Sequence, residues 1–114
     1  MKTLLAISLL LVMLTGCAGT KAPVHPGAAN TFDSTTYDTL VTMKAGIEQA
    51  KVGISDANKP LLNRVIDGWN AADALYKSYH TAALAGKATQ ADQDALAAKV
   101  ASVNADLNTL KAAK

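Results

Sequence analysis

Residues 59–86 read KPLLNRVIDGWNAADALYKSYHTAALAG, and this stretch decides the fold. Its apolar positions Leu62, Val65, Trp69, Ala72, Tyr76, Tyr79 and Ala83 recur in steps of three and four. That spacing returns each side chain to one face of an α-helix. Leu61, Ile66 and Leu75 widen the face. Pro60 suits a first helical turn, where its missing N–H has no intrahelical partner to lose, and Gly86 suits the stop after the last turn. The pattern predicts a helix over about 60–85.

Toward the N-terminus, Ser55-Asp56-Ala57-Asn58-Lys59 interrupts the period with cap-forming residues. Before it, Leu40, Met43, Ile47, Ala50 and Ile54 step by 3, 4, 3 and 4, with Val41 alongside, and predict a helix over about 34–54. Asp33 is the expected cap, with Phe32 and Tyr37 spaced for a hydrophobic staple. Gly46 and Gly53 weaken this helix and mark either a close approach or local flexibility. Toward the C-terminus, Thr89 and Asp92 have capping-box spacing, and Asp94 adds a second favourable charge to the first turn. The seam Leu96, Val100, Val103, Leu107 and Leu110 then predicts a helix over about 89–113, with Lys111 and Lys114 suited to its end.

Three helices of about 30 to 39 Å joined by short breaks favour antiparallel neighbours. The expected fold is all-α: a small antiparallel three-helix bundle with heptad-like packing, spanning residues 32–114. No stretch alternates with period two, so a sheet is not expected. The heptads also permit a homo-oligomer, and an open hairpin with the first helix loosely docked is the structural alternative.

The composition agrees. Half of the 114 residues are apolar but only five are aromatic, and the body is rich in Ala, a strong helix former that fills little space. Net charge is +2, and the basic residues from Lys44 to Lys111 are scattered among acids rather than clustered. Nucleic acid is therefore not an expected partner. The single cysteine excludes an internal disulfide and a cysteine-rich metal site.

That cysteine has a particular place. Lys2 supplies a positive start, Leu4 to Leu14 is an apolar run of signal-peptide length, and Leu14-Thr15-Gly16-Cys17 follows. The last four residues resemble the lipobox of bacterial lipoproteins: an aliphatic residue, a small residue, Gly or Ala, then Cys. The resemblance implies a signal peptide over residues 1–16, cleavage between Gly16 and Cys17, and lipid attached to Cys17. It places the chain on a membrane, through several acyl chains that make attachment effectively permanent. Ala18, in place of Asp, implies the outer rather than the inner membrane if the host has both. Residues 18–31, AGTKAPVHPGAANT, carry two prolines and two glycines without helical period and read as a flexible linker. Fully extended, residues 18–31 reach roughly 45 Å, and with Cys17 they form the lipidated linker segment 17–31. His25 within it is expected to be solvated.

Catalytic patterns are missing. The sequence holds no phosphate-binding glycine loop, dinucleotide fingerprint or paired-histidine zinc motif. Ser78 is two residues from His80, hence on another helix face. A haem reading through His80 lacks an attachment motif and a second helical histidine. The chain is read as a non-enzyme without cofactor or metal. Asp67, Asp73 and Glu48 read as solvated charges, with Asp73 and Lys77 forming an i, i+4 surface pair. The densest cluster is Trp69, Tyr76, Tyr79 and His80. It reads either as rings filling space left by alanines or as a patch for a partner or small ligand, since Trp and Tyr anchor interfaces.

Lys114 carries a further resemblance. The major murein lipoprotein of enteric bacteria is likewise a lipobox protein with a heptad helix, linked to peptidoglycan through a terminal lysine. The ending Leu110-Lys111-Ala112-Ala113-Lys114 lacks that protein's basic-aromatic close. The function expected from sequence is a lipid-anchored envelope lipoprotein, a structural or protein-interaction module with an envelope protein as partner. A periplasmic small-ligand carrier or sensor and a peptidoglycan-linked lipoprotein through Lys114 are the alternatives.

Overall fold

The computed structural model describes residues 25–113. These form three α-helices, α1 (Thr31–Lys51), α2 (Lys59–Leu84) and α3 (Gln90–Ala112), with a single 3-10 turn at Asp56–Asn58 between the first two. No strand occurs among the described residues. Each helix packs against both others, so the first is docked rather than loose.

The direction of each helix follows from contacts at its ends. Asn30, at the start of α1, donates from Nδ2 to the Tyr79 hydroxyl near the end of α2, at 3.1 Å. The Leu40 carbonyl meets Trp69 in mid-α2. Earlier α1 residues thus meet later α2 residues, and the pair is antiparallel. Arg64 and Asp106, 3.4 Å apart, and Asn58 against the Ala113 carbonyl give the same relation for α2 and α3. Helices α1 and α3 are parallel, and Gly46 of α1 faces Leu107 of α3.

The core is built from the expected seams. Leu40, Met43, Ile47 and Ala50 come from α1, and Leu62, Val65, Ala72 and Tyr79 from α2. All five α3 positions, Leu96, Val100, Val103, Leu107 and Leu110, are buried. Trp69, Tyr76 and Ala83 pack against this core while partly exposed. Leu75 is 41% exposed and does not broaden the buried face of α2.

Caps set the helix limits. Thr89 and Asp92 form the reciprocal capping box that starts α3. Gly86, at φ +70°, stops α2. Helix α1 departs from expectation at both ends. It starts at Thr31 because Asn30, not Asp33, is the cap: the Asn30 side chain accepts from the Asp33 N–H at 2.8 Å. It stops at Lys51 because Gly53 turns the chain with φ +68°. Ile54 therefore lies beyond the helix, although it still packs against the core.

Close helix approach requires small residues at two places. A Cβ on Gly68 would lie 3.0 Å from Val103 Cγ2, and one on Gly46 would lie 3.3 Å from Leu107 Cδ2. Of the two readings for Gly46, close approach is the one observed.

Candidate functional site

Two features occupy the α1–α2 face: a buried carboxylate at its upper end and a groove below. Asp33 sits in the first turn of α1 and is 0% exposed. The first turn of a helix has free N–H groups and a positive dipole end, both of which favour a carboxylate there. Its Oδ2 accepts from the Ala29 N–H at 2.7 Å and from His80 Nδ1 at 2.6 Å. Its Oδ1 is buried without a hydrogen bond of ordinary geometry among the described residues. Burial by itself raises the Asp33 carboxyl, but the Ala29 N–H, His80 and the Tyr76 hydroxyl outweigh it and hold the group below its usual value. The reciprocal effect falls on Tyr76. Burial and the neighbouring Asp33 carboxylate push its hydroxyl well above the ordinary tyrosine value.

His80 is held on two sides. Asp33 Oδ2 lies against its Nδ1 at 2.6 Å. Tyr76, one turn earlier, stacks on it with ring centroids 5.8 Å apart at 25°. Tyr37 of α1 meets Tyr76 at 6.1 Å, and His25 packs edge-on against Tyr37 at 5.3 Å. His25 is not merely solvated: its ring Nε2 pairs with Asp38 and its backbone N–H donates to Ser34 Oγ at 3.0 Å. The described part of the expected linker, residues 25–30, is thereby held to the bundle through Ser34, Asp33 and Asp38.

Below this cluster lies an open groove of about 450 Å³ between α1 and α2. Leu40 and Val41 supply its aliphatic wall, and Tyr37, Trp69 and Tyr76 its aromatic one. Trp69 is fixed from beneath, since its indole Nε1 donates to the Leu40 carbonyl at 2.8 Å. The Lys44 ammonium rests 5.2 Å above the Trp69 ring, within cation–π range. Glu48 and Asp73 stand at the groove, each with a lysine partner: Lys51 at 2.9 Å and Lys77 at 3.0 Å.

The structure divides the aromatic cluster read from sequence. Trp69 and Tyr76 share the groove. His80 belongs to the Asp33 cluster, which Tyr76 joins to the groove. Tyr79 is turned away: it is 5% exposed, packs edge-on against Phe32 and receives the Asn30 amide, as a core residue does. Ser78 lines a different cleft, with Leu75 and Ala82, apart from His80. Gly16, Cys17 and Lys114 lie outside the described residues. Sequence reading missed Asp33 as a site residue. A carboxylate three positions after Asn30 was its signal, but its partner His80 lies 47 residues away.

Among the described residues no group of three or more His, Cys, Asp or Glu is placed to hold a metal ion, and no helix is long and apolar enough to cross a membrane. Comparisons with protein-family models, curated proteins and solved structures found no match.

Proposed function

We propose that this chain is a lipid-anchored lipoprotein of the bacterial cell envelope whose helical body is a non-enzymatic binding module. The lipobox Leu14-Thr15-Gly16-Cys17 supports the anchor, with residues 1–16 as the cleaved signal and the outer membrane as the destination in a host with two membranes. The observation that carries the binding role is the groove between α1 and α2. It combines exposed apolar side chains, Val41 at 51% and Tyr37 at 46%, with a Trp held rigid by its own hydrogen bond. Rigid aromatic anchors beside exposed apolar surface are what binding sites use.

A photo-crosslinking residue at Val41, in cells, tests the role. Adducts are expected from Val41 and not from Asn108, which is exposed on α3. Equal labelling from both positions contradicts it. The small-ligand form of this reading is favoured over the protein-interaction form by the groove's volume, which lies within the range of small-molecule pockets, about 300 to 1,000 Å³.

A further inference from the structure

We propose that the end of the bundle where α1 begins, α2 ends and α3 begins holds a second binding site, which takes a single neutral sugar ring. This site is separate from the α1–α2 groove and goes beyond the role given to it.

The site is a cleft of about 290 Å³ among the three helix ends. Small residues leave the room for it. Ala83 and Gly86 line it at the close of α2, and Ala88 lines it ahead of α3. A Cβ on Gly86 would meet nothing within 4 Å. At roughly 30 Å³ per water, the cleft has space for about ten water molecules. That is the room taken by one pyranose ring with its substituents, and it sits at the small end of ligand pockets.

Charge favours a neutral occupant. Among the described residues, none that lines the cleft is charged; Lys87 stands between Gly86 and Ala88 but outside the lining. Two helix N-termini flank the cleft, that of α1 capped by Asn30 and that of α3 capped by Thr89. Helix N-termini attract anions, but each of these already holds a carboxylate of its own. Asp33 is buried in the first turn of α1, and Asp92 accepts the Thr89 N–H at 3.0 Å. An incoming anion would meet those charges. A cation would face two positive helix ends and find no carboxylate in the lining.

Hydrogen bonding favours hydroxyls. Tyr79 is 5% exposed, and its hydroxyl reaches the cleft beside Asn30. That hydroxyl accepts the Asn30 amide at 3.1 Å, while its own O–H has no acceptor among the described residues. Gln90 donates from Nε2 to Asp94 at 2.9 Å, which leaves its Oε1 to accept. The half-buried Gln93 side chain has no hydrogen bond among the described residues and offers both a donor and an acceptor. A sugar hydroxyl donates and accepts at once, so it answers all three groups. The Ala83 and Ala88 methyls suit the C–H face of the ring.

The test is a titration of the mature full-length protein, in phosphocholine-detergent micelles, with N-acetylglucosamine, followed by amide NMR. Saturable shifts of the Gly86, Gln90 and Gln93 signals are expected, with an apparent Kd of about 1 mM. Gln93→Ala should weaken binding about fivefold, and Ala88→Leu, which fills the cleft, should abolish the shifts, both with unchanged helical circular dichroism. Glucuronate and glucosamine, the anionic and cationic counterparts, should each bind more weakly than the neutral sugar. No saturable shift up to about 50 mM would overturn the assignment. So would binding of either charged sugar as tight as that of the neutral one, unchanged binding by Gln93→Ala, or shifts that fall on Val41 and Trp69 instead. Crosslinking from Val41 reports on the groove alone, so failure at this cleft leaves the binding-module reading intact.

Discussion

His80 Nδ1 and Asp33 Oδ2 lie 2.6 Å apart although 47 residues of chain separate them. The same oxygen accepts the Ala29 N–H, so one buried carboxylate joins the segment before α1, the first turn of α1 and the last third of α2. A buried carboxylate is tolerated only when donors reach it, and here Oδ2 takes the Ala29 N–H and the His80 ring while Oδ1 has no ordinary partner among the described residues.

Removing that acceptor should be costly. Asp33→Ala is expected to destabilise the bundle by about 2 to 3 kcal/mol, because hydrogen bonds to charged groups are each worth about 1.5 to 3. His80→Ala, which removes a partly exposed partner, should cost about 1 kcal/mol. Urea unfolding of the two single variants and the double variant gives the coupling, expected at about 1 kcal/mol or more. Strict additivity would show that the two side chains do not act as a pair.

The pairing also sets a direction with pH. The Asp33 carboxyl is held below its ordinary value of 3.8 in the folded protein. Its contribution is therefore fully present above the unfolded value, and it is lost as pH falls through the folded one, because the unfolded chain takes up the proton first. Between pH 6 and pH 2.5 the wild type should lose more stability than Asp33→Asn, read by urea midpoints at each pH. Parallel curves would contradict the assignment.

Tyr76 supplies an independent probe of the same cluster. The chain has three tyrosines, and burial together with the Asp33 carboxylate raises the Tyr76 hydroxyl. A spectrophotometric titration at alkaline pH should show one tyrosine ionising later than an ordinary phenol. Asp33→Asn should move that step to lower pH. An unmoved step would detach Tyr76 from Asp33.

The two close-approach glycines should respond to different degrees. Gly68→Ala places a methyl 3.0 Å from Val103, a β-branched residue 2% exposed with little freedom to turn. It should destabilise by about 1 kcal/mol despite the better helix propensity of alanine. At Gly46 a methyl would meet the flexible end of Lys111 at 3.2 Å and Leu107 Cδ2 at 3.3 Å, so the gain in helix propensity and the crowding should nearly cancel and Gly46→Ala should change stability by no more than about 0.5 kcal/mol. Equal changes at both positions would show that the α2–α3 approach is not tight at Gly68.

Helix seams are legible in this sequence because burial repeats with the helical period. Val65, Ala72, Leu96 and Leu110 stand where their spacing puts them, in the core. Local stops such as Gly86 and the Thr89–Asp92 box are equally legible, since both act within a few residues. The start of α1 was misread because Asn30 and Asp33 are both capable caps, and only the turn through Ala29 decides between them. Trp69 and Tyr76 could be placed on one face, but a heptad does not say which rung of α1 stands opposite. That register is what brings Tyr37 to Tyr76 and Asp33 to His80, and it splits Tyr79 from its sequence neighbours.

The central claim is a lipid-tethered binding module, and the tether is its most exposed point. Mass spectrometry of the N-terminal peptide, with membrane fractionation of wild type and Cys17→Ser, tests it most directly. The account predicts a mature chain that begins at an acylated Cys17 and sediments with membranes, and a Cys17→Ser variant that loses both the acyl groups and the sedimentation. A free Cys17 thiol, or a Cys17→Ser variant that still sediments with membranes as the wild type does, would contradict it.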